Sequence, residues 1–188
     1  MTLTLACQSK QHHHADRGLD LYETPAVAVE ALRRVETLPD TIWEPAAGRG
    51  AIVYELRNAG HKVIASDICA YAGFVLDFTA DFFTVPTAPL GTEVILTNPP
   101  YRDAAPFVEH ALTLCPRAVM LCRLAFLESA RRAPILDAGS LARIHVFKSR
   151  LPMMHRDGWN GPRASSAIPF AWFVWDREHA GPATVDRI

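Results

Sequence analysis

Thr41-Ile42-Trp43-Glu44-Pro45-Ala46-Ala47-Gly48-Arg49-Gly50 is the stretch on which the fold turns. It opens on a short β-branched and aromatic run, which suits a strand. A proline and two glycines then lead into a segment where Ile52, Val53 and Leu56 share one helical face. Strand, glycine turn and helix in succession begin an alternating α/β chain. Glycine lets the backbone approach a ligand closely, because no Cβ stands in the way. The turn lacks the GxGxxG pattern of a dinucleotide site. A tight structural turn and a ligand-facing turn therefore both remain open at this point.

The same alternation continues on either side. Thr24-Pro25 reads as an N-cap followed by proline at the first helical position. Val27, Ala31, Leu32 and Val35 then recur at helical spacing, which predicts a helix over residues 25–36. Strands are expected at Lys62–Ser66, near Phe74–Leu76, and at Thr92–Thr97. A helix is expected at Ala104–Leu114, a strand at Arg117–Leu121, and a helical piece within Glu128–Leu136. Ala142–Phe147 and Phe170–Trp175 complete a set of seven strands. Strands alternating with helices imply an α/β fold with a mainly parallel sheet covered on both faces. Ligands in such folds sit beyond the carboxyl ends of the strands.

With 188 residues and 49% hydrophobic composition, one globular domain is the simplest organisation. The formal net charge of −1 hides an asymmetry. Residues 1–101 carry 7 Lys/Arg and 12 Asp/Glu (net −5), and residues 102–188 carry 12 and 8 (net +4). A basic second half allows an anionic partner. Cys7, Cys69, Cys115 and Cys122 form no CxxC pair, which weakens zinc and thioredoxin-type readings and favours reduced, buried thiols. His12-His13-His14 sits in a polar stretch, read as part of a flexible arm over residues 1–20 rather than as a metal site. No other metal-ligand set is expected. No signal pattern or membrane-length apolar run is present, so a cytoplasmic protein without membrane contact is expected.

Asp67 ends the second main strand 23 residues after Glu44. An acid there can accept hydrogen bonds from both hydroxyls of a ribose. With no phosphate-cradling pattern, a nucleoside-like cofactor without phosphates is implied. The apolar run Ile95–Thr97 stops at Asn98-Pro99-Pro100-Tyr101. Two prolines surrender two backbone donors, so the turn either merely ends the strand or presents Asn98 and Tyr101 rigidly. Residues 148–168 contain Lys148, Arg150, Arg156 and Arg163 against Asp157, with His155 and Trp159 between them. Basic groups interleaved with an aromatic suit a nucleic-acid footprint, though a solvated loop can share that composition.

Together these residues resemble the class I S-adenosylmethionine-dependent amino-methyltransferases, in particular the NPPY-type, gamma-order DNA adenine methyltransferases. The matching segments are YETPAVAVEALRR (22–34), EPAAGRG (44–50), SDI (66–68), ADFF (80–83) and NPPY (98–101), in the family's order. DLYETP and ASSAIPFAWFVWDR are also similar to compact phage or prophage forms. The resemblance implies a Rossmann-like methyltransferase fold with a mostly parallel seven-stranded sheet, forming a single domain over residues 21–188. It implies S-adenosylmethionine held by Thr24 and Glu44 at its methionine end. Ala46, Gly48 and Gly50 would allow backbone approach, Asp67 would take the ribose, and Ile68, Asp81 and Phe82 would surround the adenine.

The same resemblance makes Asn98, Pro99, Pro100 and Tyr101 the catalytic set. An aromatic amine is a poor nucleophile because its lone pair is delocalised. The Asn98 side-chain oxygen and the Pro99 carbonyl would accept from its two N–H bonds and turn the lone pair toward the methyl, while the prolines hold them still. Tyr101 would offer a stacking face to an unstacked base. Lys148, Arg150, Arg156, Trp159 and Arg163 would contact nucleic acid, with DNA favoured over RNA and adenine favoured as the target. With only a short tail after Trp175, a separate target-recognition domain like that of the large adenine methyltransferases is not expected. A glutamine amide of a protein, methylated by the same NPPY logic, and a non-catalytic interaction module are the competing readings. Monomer and dimer are both left open.

Overall fold

The computed structural model describes residues 22–155 and 168–188. The expected arm over residues 1–20, including His12–His14, lies outside the described residues. So do Arg156, Asp157, Trp159 and Arg163. The strands are β1 (Tyr22–Glu23), β2 (Thr41–Glu44), β3 (Lys62–Asp67), β4 (Phe78–Thr79), β5 (Val94–Thr97), β6 (Arg117–Arg123), β7 (Leu141–Val146), β8 (Met154–His155), β9 (Phe170–Asp176) and β10 (Thr184–Arg187). The α-helices are α1 (Ala26–Val35), α2 (Ala51–Asn58), α3 (Ala104–Leu114) and α4 (Ala133–Leu136).

Eight strands form one sheet in the order β10-β7-β9-β6-β5-β2-β3-β4, and β1 pairs with β8 in a separate ribbon. Seven of the eight occupy the expected succession; β10 adds an edge strand parallel to β7. Only β9 runs antiparallel, between β6 and β7. β2 pairs with β3 on one side and β5 on the other, so the strand order reverses there. That reversal opens a crevice at the carboxyl ends of these three strands.

Period-two alternation along the central strands builds two cores. Ile42, Val94, Leu96, Val119, Leu121, Trp172 and Val174 meet α1 and α2 on one face. Trp43, Ile95, Met120, Phe173 and Trp175 meet α3 and Ile135 on the other. The buried tryptophans also tie the layers together by hydrogen bonding. Trp172 Nε1 donates to the Ala28 carbonyl and Trp175 Nε1 to that of Ile135, both at 2.8 Å. A buried indole N–H left without such a partner would cost stability.

Three expectations change. The third strand lies at Phe78–Thr79 rather than Phe74–Leu76. Asp77 explains the shift, because its carboxylate accepts from the Ala65 N–H and its own N–H donates to the Ala65 carbonyl, anchoring the chain to β3 only from that point. The helical piece expected within Glu128–Leu136 is present as Ala133–Leu136, preceded by tight turns. At the start of α1, Thr24 makes no capping bond and is buried instead. Cys115 and Cys122 are buried and free, as expected, but Cys69 is disulfide-bonded, against the expectation of thiols throughout. No helix among the described residues is long and apolar enough to cross a membrane.

Away from the crevice, Glu36 follows α1 and is buried beside Arg117, the first residue of β6. Arg143 Nε donates to Glu36 Oε1 at 2.5 Å, His145 Nε2 lies 2.7 Å from the same oxygen, and Arg117 pairs with Oε2. Burial alone would raise the Glu36 carboxyl, but His145, Arg143 and Arg117 outweigh it and lower it to about 2. A depressed carboxyl stabilises the fold above its unfolded value of 4.5, and that contribution fades as pH falls toward 2. Glu36→Gln leaves the cations uncompensated and is expected to cost about 3 kcal/mol or more at pH 7. Thermal melts from pH 7 to pH 2 check this: the gap between wild type and variant should close on the acid side, and a constant gap would argue against the assignment.

Candidate functional site

The three central parallel strands end on the same side of the sheet, with β3 running two residues past the point opposite the end of β2. A cavity of about 490 Å³ is lined by Thr24, Glu44, Ala46, Gly48, Asp67, Ile68, Asp81, Phe82, Asn98 and Pro100 among others. Thus most of the residues singled out in the sequence come together. Gly50, Pro99 and Tyr101 do not line it.

Glu44 ends β2 and is 2% exposed; its Oε2 has no hydrogen-bond partner among the described residues. Burial, with the nearby charge of Asp67, pushes the Glu44 carboxyl well above the ordinary carboxylate range. Asp67 ends β3. Its Oδ2 accepts from the Gly48 N–H at 2.8 Å and Oδ1 from the Cys69 N–H at 3.2 Å. Burial raises the Asp67 carboxyl as well, opposed by backbone donation from Gly48, Cys69 and Ile68. The glycine turn is therefore fastened to the neighbouring strand end, which shapes the wall between the two acids. Gly48 has φ of 54° and Gly50 of 80°, a region that disfavours side-chain-bearing residues. At Gly50 a Cβ would also lie 2.3 Å from the Phe74 ring. Gly50 thus serves the turn and the packing of Phe74 rather than the cavity.

On the far wall Ile68 is half exposed, an apolar surface at the rim. Asp81 accepts from the Phe83 N–H at 3.0 Å and so caps the turn that carries Phe82. Phe82 is both core and lining: it stacks on Phe107 at 4.7 Å and meets Trp43 edge-on at 5.4 Å. Phe107, Phe83, Tyr71, Arg49 and Tyr22 also line the cavity. Phe107 falls within the expected helix Ala104–Leu114, and nothing in the sequence set Arg49 apart. No sequence signal set Tyr71 apart.

Asn98 follows β5. Its Nδ2 donates to the Tyr22 backbone carbonyl at 3.0 Å, and its Oδ1 is buried without a hydrogen-bond partner among the described residues. Pro100 lines the cavity, and its carbonyl accepts from the Asp103 N–H, which closes the turn. Tyr101 departs from the open platform expected of it. Its ring packs 4.9 Å from Tyr22 and 5.5 Å from Phe170, with the Arg123 guanidinium 4.5 Å from its centroid. Burial pushes its phenol far up. Lys148 and Arg150 are exposed just beyond the end of β7, on the same edge of the sheet as Asn98 but outside the cavity lining.

No protein-family model matches the chain, and no curated protein does either. Solved structures do resemble it. A candidate RNA methyltransferase, PH1948 from Pyrococcus horikoshii, shares 14% identity over 92% of each chain, with a TM-score of 0.63. The modification subunit of a candidate type I restriction enzyme from Vibrio vulnificus YJ016 shares 16% over 93% of this chain and 48% of its own, at 0.59. The 23S rRNA methyltransferase ErmE shares 15% over 82% of this chain and 68% of its own, at 0.55. The fold is the Rossmann-like α/β fold of these methyltransferases.

The raised Glu44 carboxyl carries a sign that can be measured. Its contribution to stability is present below pH 4.5 and is lost as pH rises through its folded value. Glu44→Gln removes a buried ionisable group and is expected to stabilise the free protein at pH 8 by on the order of 1 kcal/mol, about 2–4 °C in Tm. The gain should vanish toward pH 5. A variant that melts lower at pH 8 would mean that Glu44 holds the fold rather than awaiting a ligand.

Proposed function

We propose that the chain is an S-adenosylmethionine-dependent methyltransferase acting on the exocyclic amino nitrogen of adenine in nucleic acid, with DNA favoured over RNA. The observation that supports this reading is the pairing, along one cavity, of two buried acids, Glu44 and Asp67, with the amide of Asn98, whose Nδ2 is held by the Tyr22 carbonyl. The names of the structural neighbours are consistent with a nucleic-acid substrate, at identities that carry the fold alone.

The cavity fits the cofactor on its own chemistry. Glu44 Oε2 is an orphaned, buried acceptor suited to an ammonium. Asp67 stands at the strand end where ribose hydroxyls are accepted. Ile68 and Phe82 offer apolar surface to a purine, and Asp81 an acceptor to its amino group. Bound there, the cofactor would supply an electrophilic methyl carbon activated by its sulfonium sulfur, with a neutral thioether as the leaving group.

The protein's own contribution is geometric and electrostatic. By the family resemblance, Asn98 Oδ1 and the Pro99 carbonyl would accept from the two amine N–H bonds and turn the nitrogen lone pair toward the methyl, with Pro99 set behind the Asn98 and Pro100 that line the cavity. The amine proton then passes to water. Prolines 99 and 100 keep these acceptors from relaxing, so little reorganisation is needed during transfer. Tyr101, packed between Tyr22 and Arg123, backs the site from below. The target base must leave the duplex to reach this depth. Lys148 and Arg150, with Arg102 at the cavity mouth, would meet its phosphates.

Two outcomes check this reading. Asn98→Ala should bind S-adenosylhomocysteine nearly as wild type does, yet transfer methyl about 100- to 1000-fold more slowly in single turnover. A near-normal rate would reduce NPPY to a strand terminator. Replacing Lys148 and Arg150 together by alanine should flatten the log-affinity against log-salt slope for DNA by roughly 1.8, about 0.9 per lost phosphate contact. An unchanged slope would remove them from the footprint.

A further inference from the structure

An asparagine amide has two ends of similar shape and opposite chemistry, one a double donor and one an acceptor. The transfer reading needs the acceptor end of Asn98 to face the amine. Something must therefore hold the amide against a half-turn. The backbone carbonyl of Tyr22 accepts from Asn98 Nδ2 at 3.0 Å, from a residue 76 positions away. A flipped amide would set Oδ1 against that carbonyl oxygen, two acceptors with no proton between them. The contact therefore fixes which end of the amide is turned to the Tyr22 carbonyl, and the opposite end, Oδ1, is buried with no hydrogen-bond partner among the described residues.

Tyr22 is itself held from several directions. β1 pairs antiparallel with β8, with Tyr22 opposite His155 and Glu23 opposite Met154. The Tyr22 ring packs against Tyr101, within the same NPPY turn. Arg49 of the glycine turn lies 4.0 Å from Glu23, and Thr24, the next residue, lines the cavity.

We propose that β1 is a positioning element of the transfer step: the Tyr22 carbonyl holds the Asn98 amide with its acceptor oxygen toward the target amine. The proposal rests on the reading of this cavity as a methyl-transfer site. It makes a two-residue strand, N-terminal to every glycine and proline motif, part of the catalytic geometry through its backbone.

Asn98→Asp separates the two ends of the side chain. It keeps an acceptor but replaces the donor with an oxygen that repels the Tyr22 carbonyl. Affinity for S-adenosylhomocysteine should stay within about twofold at pH 8, while the single-turnover rate falls about 100-fold or more. As the pH is lowered toward 5, the introduced carboxyl protonates and its O–H can donate to Tyr22. The rate should then recover by at least about tenfold, a profile opposite to that of ordinary acid inactivation. Glu44, Asp67 and Asp81 within the cavity, Glu23 beside Arg49, Asp103 beside Arg102, and the Tyr101 phenol beside Arg123 also face this region. Wild type carries all of them, so the ratio of the two profiles isolates position 98. An Asn98→Asp enzyme as fast as wild type at pH 8 would overturn the proposal while leaving the acceptor reading intact.

A second measurement needs no turnover. In a nitrogen-15 spectrum of the free protein, one Asn98 side-chain amide proton should be shifted downfield and protected from exchange. Two fast-exchanging, solvent-like protons would overturn the proposal. A protected proton in a protein that methylates no nucleic acid would support the hold of β1 on Asn98 and overturn the nucleic-acid reading instead.

Discussion

Glu44 and Asp67 end adjacent parallel strands and are buried side by side, and much of the surrounding structure answers to that placement. Burial raises the proton affinity of both carboxyls, and the charge of Asp67 raises that of Glu44 further. Asp67 is compensated from the backbone, by the glycine turn and by the residues that follow it. Glu44 is not, and its Oε2 lacks a partner. On the proposed reading, the ammonium of the cofactor would supply the positive charge that Glu44 lacks. The reversal of strand order at β2 then places Asn98 within the same cavity, so the acids and the amide share one space.

The charged cluster around Glu36 works in the other direction. It gathers at the end of α1 and the start of β6, away from the crevice, and every oxygen of its carboxylate is engaged. Its titration favours the fold above acid pH, whereas that of Glu44 penalises the fold as pH rises. Stability and site chemistry are therefore located at different parts of one sheet, with the two faces of apolar packing between them.

Strands β2, β3, β5, β6, β7 and β9 were legible because each is an apolar run closed by turn residues, and the two faces alternate along them. Helix α3 was legible for the same reason at the longer period. β4 was misplaced because Phe74, Val75 and Leu76 look like a strand, while the contact with β3 is made by an aspartate and the two residues after it. β10 is exposed along its whole length, so no hydrophobic pattern announces it. In the site, residues at strand ends could be placed from spacing alone. Tyr101 could not, since an aromatic after two prolines reads equally as a platform or as core, and only its packing against Tyr22 and Arg123 decides. The hold of β1 on Asn98 spans 76 residues and runs through a backbone carbonyl, which no side-chain pattern encodes.

The most direct test is the identity of the methylated atom. The protein would be incubated with S-adenosylmethionine carrying a tritiated methyl group and with DNA, RNA and protein in separate fractions, followed by nucleoside and amino-acid analysis. Label recovered as adenine methylated on its exocyclic nitrogen, with DNA the better acceptor, is the predicted result. Label confined to protein glutamine, or absent from all three fractions while S-adenosylhomocysteine binds normally, would contradict the account.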